Sequence, residues 1–273
     1  MTATTRFWTG AAGAAAATAL LAGCAQDDAA DAPLVAPVSV ERDTGPFAGT
    51  SGADVMARAT RAMDGIVAVT VDIHFDAGPD GSGGSDDPED GPSRLAAAVE
   101  YGKCAGSMEF DARKVQFLLV SGTRYLKGDA GFWTTEVGAP PAIGQELSGS
   151  WVKLPPPGSD GDGDTGLEHF CDLQGMLNQI DDAAGEGPVT KGSATTYDGH
   201  AVIPLTQDGG DVTTRYYVAT AGTPYILRLD DTEDGDTTTV GFSDFDKKPR
   251  ITAPPAGSTL DLADYTHDPG FTV

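Results

Sequence analysis

The chain has 273 residues, of which 40% are hydrophobic, so it is long enough to bury the core of one large domain. Its formal net charge is −24, from 41 acidic and 17 basic side chains. This excess of acid argues against a nucleic-acid partner, because phosphates are bound by Lys and Arg, and against electrostatic adhesion to anionic lipid.

The N-terminal segment 1–23 has the pattern of an export signal. Arg6 precedes an apolar run at 11–22, which is shorter than the roughly 20 residues of a permanent transmembrane helix. The run ends in Leu-Ala-Gly directly before Cys24, which is the lipobox spacing of bacterial lipoproteins. We therefore predict lipidation of Cys24, with palmitate-type chains, and attachment to the outer face of the cytoplasmic membrane. Cleavage of an ordinary secretory signal at an Ala-x-Ala site is the alternative.

Residues 24–50 are rich in Asp, Ala and Pro and show no apolar period, which predicts a flexible acidic tether. Two further cysteines, Cys104 and Cys171, form an even pair in an exported chain. Such a pair favours a disulfide over the alternative of two buried free thiols.

Residues 51–250 are predicted to form the folded domain. Ser51 and Asp54 mark the start of a helix over 51–64. Strict alternation then predicts a half-buried strand at 66–75, followed by a polar acidic loop at 76–93. Nine more strands are predicted at 95–101, 104–110, 115–120, 123–127, 189–197, 201–206, 212–220, 225–230 and 237–245. Two short extended segments are predicted at 132–137 and 151–154.

Two helical segments interrupt the strands. Residues 140–147 suit a helical turn, and apolar steps of three and four residues predict a helix over 166–181. Thr165 and Glu168 form a capping box at the start of the second helix. After Pro249 the pattern is lost, and 251–273 is predicted to be an irregular tail.

The strands follow one another at hairpin spacing with no helical crossover, which predicts antiparallel pairing. Several strands are apolar on both faces, so both faces of the sheet need some cover. The predicted fold class is therefore mainly β (α+β): a strongly curved antiparallel sheet, or open half-barrel, with two or three helices packed on its concave face.

The sequence predicts no catalytic site and no metal or other cofactor. Asp160, Asp162 and Asp164 match the first ligand positions of an EF-hand loop, but Cys171 stands where that loop needs Glu. We read this loop and 76–93 as solvated surface, with calcium as the alternative. Ser150-x-x-Lys matches a penicillin-binding motif, but the segment alternates as a strand, which separates the two side chains. We therefore expect a protein that is not an enzyme.

The order of these elements, with strand phrases such as 124–127 and 225–229, resembles the actinobacterial LppX/LprG-type lipoproteins. Those proteins are similar in turn to the periplasmic lipoprotein carriers. The resemblance implies a half-barrel around an apolar cavity and non-catalytic binding or transfer of lipid or lipoglycan in the cell envelope. This chain departs from the family in its acidic insertions at 76–93 and 155–166 and in its predicted disulfide.

A half-barrel would draw the lining of its cavity from inward-facing strand residues and from the second helix. The candidates are Val71, Ile73, Phe117, Leu119, Phe170, Leu173, Leu177, Tyr216, Val218, Leu227, Leu229 and Phe242. The alternative is that these side chains fill a closed core. In that case the protein would be an envelope sensor or protein-interaction module, with a protein partner that the sequence does not name. An apolar cavity of several hundred cubic ångströms would favour the lipid ligand.

Overall fold

A computed structural model describes residues 45–76, 91–110, 113–156, 167–185 and 187–265, all within one compact unit, Arg42–Val273. The predictions for the signal segment 1–23 and for Cys24 lie outside the described residues, as do those for the loop at 77–90 and the EF-hand-like carboxylates.

The described chain contains five α-helices and thirteen strands. The helices are α1 (Gly52–Met63), α2 (Ala130–Thr135), α3 (Pro141–Leu147), α4 (Leu167–Phe170) and α5 (Leu173–Ala184). The strands are β1 (Ala68–Asp76), β2 (Arg94–Glu100), β3 (Lys103–Phe110), β4 (Arg113–Val120), β5 (Thr123–Lys127), β6 (Trp151–Lys153), β7 (Val189–Lys191), β8 (Thr195–Tyr197), β9 (His200–Asp208), β10 (Val212–Ala219), β11 (Ile226–Glu233), β12 (Asp236–Ser243) and β13 (Thr259–Asp261).

The strands form one open sheet in the order β13-β6-β5-β4-β3-β2-β1-β12-β11-β10-β9-β7, with β8 paired to β9. All pairs are antiparallel except β13 with β6, which is parallel. The central pair, β1 with β12, joins the two halves of the chain. The predicted class, a curved and mainly antiparallel half-barrel with helices, is confirmed.

Helix α1 forms where the sequence predicts it. The Ser51 hydroxyl accepts a hydrogen bond from the Asp54 amide at 3.1 Å, which satisfies one of the free amides of the first turn. Val55, Ala59 and Met63 follow at intervals of four residues and are at most 1% exposed. This spacing places them on one face, which packs into the same apolar cluster as the sheet.

Three local predictions were wrong. Residues 132–137 are not extended, because Asp129 accepts a hydrogen bond from the Phe132 amide and begins α2. The helix predicted over 166–181 is divided into α4 and α5 at Cys171 and Asp172. The strand predicted at 189–197 is divided into β7 and β8.

The ends of the domain also differ from the predictions. Within the predicted irregular tail, β13 pairs with β6, and Leu262 is only 2% exposed. Within the predicted tether, Phe47 packs against the apolar cluster and its carbonyl accepts a hydrogen bond from Lys191 at 2.9 Å. Both segments extend the domain beyond 51–250, because each contributes an apolar side chain to the core.

Candidate functional site

Two apolar rows cross the concave face of the sheet. Register and alternation place paired inward residues side by side on neighbouring strands. The first apolar row runs from β9 to β4 through Leu205, Tyr216, Leu229, Val240, Ile73, Leu95, Met108 and Val115. The second apolar row has two paired parts: Ile203, Val218 and Ile226 across β9 to β11, and Phe242, Val71, Ala97, Gly106 and Phe117 across β12 to β4.

The structure brings most of the predicted cavity residues together in this layer. Ten of the twelve are at most 9% exposed: Val71, Ile73, Phe117, Leu119, Leu173, Leu177, Tyr216, Val218, Leu229 and Phe242. Phe170 is half-buried and packs against the same cluster. The sheet supplies the floor of the layer, and α1 and α5 supply its cover.

Leu227 is the exception and corrects the prediction. The register between β10 and β11 shifts at Tyr217 and Val218, so that Val218 pairs with Ile226 while Tyr217 pairs with Arg228. Leu227 is the extra residue of this bulge and lies outside the apolar cluster. Ile226, which is fully buried, takes the inward position that strict alternation assigns to Leu227.

The four methionines of the described chain all belong to the apolar layer. Met56 and Met63 lie on α1, Met176 on α5 and Met108 on β3. The methionine side chain is unbranched and flexible, so it packs well in apolar regions where the neighbouring groups or the bound ligand can change. A layer lined in this way is more deformable than one built from β-branched side chains alone.

The cover is fastened to the sheet near α4. A disulfide joins Cys104 on β3 to Cys171 between α4 and α5, with the Cα atoms 5.3 Å apart. Beside it, the buried Arg124 of β5 donates to the Pro155 carbonyl and pairs through Nε with Glu168 of α4 at 3.2 Å. The predicted disulfide is confirmed, and it staples a helical segment to the sheet as expected.

A second fastening holds the other end of α5. Gln207 is only 4% exposed, and its side-chain amide donates to the Ala183 carbonyl at 2.8 Å. The Tyr216 hydroxyl in turn donates to the Gln207 Oε1 atom at 3.3 Å. Because these polar groups are buried, the loss of either bond would leave an unpaired group in the core. Helix α5 is therefore tied to the sheet at both ends.

The layer between helices and sheet is closed. The two hollows that stand out on the described surface have volumes of about 310 and 200 Å³. The first is lined mainly by polar side chains of β4 and β5, and the second lies beside β6 and β13. Neither lies between α5 and the apolar rows, where the side chains of α5 and of the sheet belong to one buried apolar cluster.

The groups that suggested chemistry do not assemble into a catalytic or metal site within the described ranges. Ser150 directly precedes β6 and Lys153 ends it, and the Lys153 Nζ atom pairs with Asp261 at 2.8 Å, which raises the pKa of the lysine. No group of three or more His, Cys, Asp or Glu side chains is placed to hold a metal ion in the part of the chain described. Among the helices described, none is long and apolar enough to cross a bilayer.

Two polar residues that position the cover are not among the site residues predicted from the sequence. Arg124 shares the inward face of β5 with Leu126, so strand alternation alone contains a signal that a charged group points inward. Gln207 follows Leu205 by two residues on β9, so alternation places it on the inward face as well, but its partner, the Ala183 carbonyl, is a backbone group of a distant helix that the sequence does not indicate. Buried hydrogen bonds of this kind become visible only in the tertiary structure.

Comparison with solved structures identifies the fold. LprF from Mycobacterium bovis superposes with a TM-score of 0.53 at 13% identity, over 75% of this chain and 97% of LprF. The lipoprotein LppX from Mycobacterium tuberculosis gives a TM-score of 0.47 at 12% identity, over 74% of this chain and 98% of LppX. No family model matches the sequence, and no curated protein matches it. The predicted resemblance to the LppX/LprG-type structure is confirmed at the level of the fold.

Proposed function

We propose that this chain is a lipid-anchored envelope lipoprotein that binds the acyl chains of a lipid or lipoglycan and carries out no catalysis. The observation that carries the proposal is the concave face of a half-barrel with the LprF fold, lined by two apolar rows and covered by helices. An acyl chain that enters this layer gains about 0.8 kcal/mol for each CH₂ group removed from water.

A closed layer is compatible with such binding. An empty apolar cavity costs about 24 cal/mol for each cubic ångström, so a cavity of about 400 Å³ would cost about 10 kcal/mol. A carrier without ligand is therefore expected to collapse onto its own side chains. Because α5 is fastened at both ends, we place the opening along α1, whose inner face carries Met56 and Met63.

The lipid on Cys24 supplies the location of the protein in this proposal. A strongly acidic body is not attracted to anionic lipid, so it needs the acyl anchor to stay at the membrane. Replacement of Cys24 by Ser should release the protein from the membrane fraction without changing its thermal unfolding. A Cys24→Ser variant that stays in the membrane fraction would contradict the anchor.

A photoactivatable fatty acid tests acyl binding directly. The full-length Cys24→Ser variant is irradiated with a diazirine-labelled acyl chain, and the labelled peptides are mapped by mass spectrometry. We expect label on concave residues such as Tyr216 and Leu229, whereas Tyr217, the next residue on the convex face, serves as the internal control. Label confined to the convex face, or none at all, would refute the proposal.

The packed core favours a second candidate, a protein-interaction module of the envelope. The disulfide, the Arg124–Glu168 pair and the Gln207 bonds all resist movement of the cover. This candidate predicts that protein purified from its own membranes shows no lipid in native mass spectrometry beyond the covalent anchor. Co-purified lipid would exclude it and favour the carrier.

A further inference from the structure

A group of stacked arginine and tyrosine side chains lies on the convex face, on the opposite side of the sheet from the apolar rows. The guanidinium carbon of Arg228 lies 5.4 Å from the centre of the Tyr197 ring and 5.6 Å from that of the Tyr217 ring. The two rings are 5.9 Å apart, and the guanidinium carbon of Arg215 lies 5.4 Å from the centre of the Tyr217 ring. At these distances each arginine is attracted to a ring. We call these four residues the Arg–Tyr cluster.

Three separate strands build the cluster. Arg215 and Tyr217 are alternate residues of β10, and Tyr217 pairs with Arg228 of β11. Tyr197 is the last residue of β8, and its hydroxyl lies near Gly241 of β12, where an added β-carbon would be 3.6 Å away. The Tyr197 side chain therefore crosses the convex face from β8 toward β12.

The two arginines differ in how far their charge is neutralised. Arg228 donates to Asp230 at 2.6 Å, and the Asp230 side chain is only 14% exposed, so this pair is satisfied within the cluster. Arg215 is exposed and has no carboxylate partner in the part of the chain that the structure describes, although the sequence has 41 acidic side chains. Neither the Tyr197 nor the Tyr217 hydroxyl bonds to another described residue. The cluster thus presents free donors, whose strongest partner is a carboxylate.

The stacking prepares Arg215 for a partner. A guanidinium that packs on a ring keeps the N–H groups at its edge available for a bidentate contact. It also loses less side-chain freedom when the partner binds, because the ring already restricts it. Tyrosine and arginine are, for these reasons, enriched in the residues that dominate protein–protein binding energies.

A free strand edge lies beside the cluster. Strand β8 pairs with β9 through three residue pairs, and no other strand of the described ranges pairs with it. The turn at Asp198 and Gly199, both with positive φ, joins Tyr197 to His200 as a hydrogen-bonded pair. Because such pairs alternate with non-hydrogen-bonded ones, the backbone N–H and C=O of the exposed Thr196 point away from β9. An extended peptide can add to an edge of this kind through its own main chain, whereas a polysaccharide has no matching backbone.

We propose that the Arg–Tyr cluster and the free edge of β8 form a docking site for an extended acidic segment of a partner protein. The segment pairs with β8 through its main chain and places a carboxylate on Arg215. The net charge of −24 does not prevent this contact, because exposed charges more than about 8 Å apart are largely screened at physiological ionic strength. Acyl binding on the concave face is not assumed, since the docking site lies on the other face of the sheet.

Selection from random peptides displayed on phage tests the docking site. The full-length Cys24→Ser variant is the immobilised target, at physiological ionic strength. We expect the selected peptides to be enriched in Asp and Glu at alternate positions, because alternate residues of an extended segment share one face. A labelled synthetic copy of the most enriched peptide then gives the affinity by fluorescence anisotropy.

Four variants of the same protein locate the bound peptide. Arg215→Ala should weaken binding about tenfold or more, as expected for loss of a charge-assisted hydrogen bond, and Arg215→Lys should restore only part of it. Arg58→Ala, which removes an exposed arginine from α1, should leave the affinity unchanged. Thr196→Pro should also weaken binding, because it removes the outward N–H of β8. Thermal unfolding of Arg215→Ala should match that of the parent, so that its loss of affinity reports on the site.

The opposite outcomes are equally clear. If no peptide is selected, if the selected peptides are not acidic, or if Arg215→Ala keeps the full affinity, the docking site is wrong whatever the result for acyl binding. Full affinity in Thr196→Pro would overturn the pairing with β8. Polyglucuronate that binds the parent but not Arg215→Ala, with no peptide selected, would assign the cluster to an acidic polysaccharide and overturn the protein partner.

Discussion

Replacement of Cys104 and Cys171 by Ala removes the covalent link between β3 and the α4–α5 segment. The two cysteines are separated by 67 residues, and the closure of a loop of that length restricts the unfolded chain by about 4 kcal/mol in the chain-entropy model. For a domain of this size, a loss of about 4 kcal/mol lowers the melting temperature by about 8 to 16 °C. The double variant, built on Cys24→Ser, should therefore fold but unfold earlier.

Urea unfolding followed by circular dichroism measures this loss. The oxidised parent, the parent reduced by dithiothreitol and the double alanine variant are compared at equal protein concentration. Reduction serves as the control for packing, since it opens the link without removing the sulfur atoms. We expect both changes to lower the free energy of unfolding by similar amounts.

The same variant tests the role of the link as a fastening of the cover. Backbone amides of α4 and of the start of α5 should exchange hydrogen faster without the disulfide, while those of α2 and α3 should not. A stability loss below about 1 kcal/mol, or faster exchange spread evenly over the domain, would refute the argument that the link holds this segment locally.

Three further predictions concern single side chains. Arg124→Met should destabilise the fold by about 1 to 3 kcal/mol in urea unfolding, because it leaves the Pro155 carbonyl without its donor and Glu168 without its partner; unchanged stability would contradict a structural role for Arg124. Asp72→Asn should cost less than about 1 kcal/mol, because the pair of Asp72 with Arg94 is over one-third exposed. The hydrogen bond from Arg94 lowers the pKa of the Asp72 carboxyl below its usual value of 3.8. The stabilisation from this pair is therefore complete above pH 3.8 and is lost as the pH falls through the lower pKa of the folded state. A stability difference between parent and variant that does not change with pH would refute this reasoning. Ser51→Ala should cost about 1 kcal/mol through loss of the N-cap, measured by thermal unfolding, and no change would show that water replaces the cap.

The sequence was most informative where the structure depends on local periodicity. Alternation in β1 and the four-residue spacing of α1 follow from the geometry of a single strand or helix, so their inward residues, such as Val71 and Val55, are readable without any partner. Short turns between strands restrict neighbours to antiparallel pairing, which predicts the curved sheet. The pairing of Cys104 with Cys171 followed from counting, because the assignment of Cys24 to the predicted lipid anchor leaves two cysteines with one possible bond.

The tertiary structure decided what depends on contacts between distant segments. The bulge that places Ile226 rather than Leu227 in the core arises from the pairing of β10 with β11, and no property of β11 alone indicates it. Helix α2 forms because Asp129 caps it, although its sequence is rich in aromatic and β-branched residues that favour a strand.

The outline of the half-barrel was determined by the sequence, since a strand pattern is a local feature, and attachment to the membrane stays a prediction from the lipobox. Whether the interior is a filled core or an open cavity is decided only by the tertiary structure. A list of inward apolar residues does not distinguish a filled core from an open cavity, because that difference depends on how closely α1 and α5 approach the sheet.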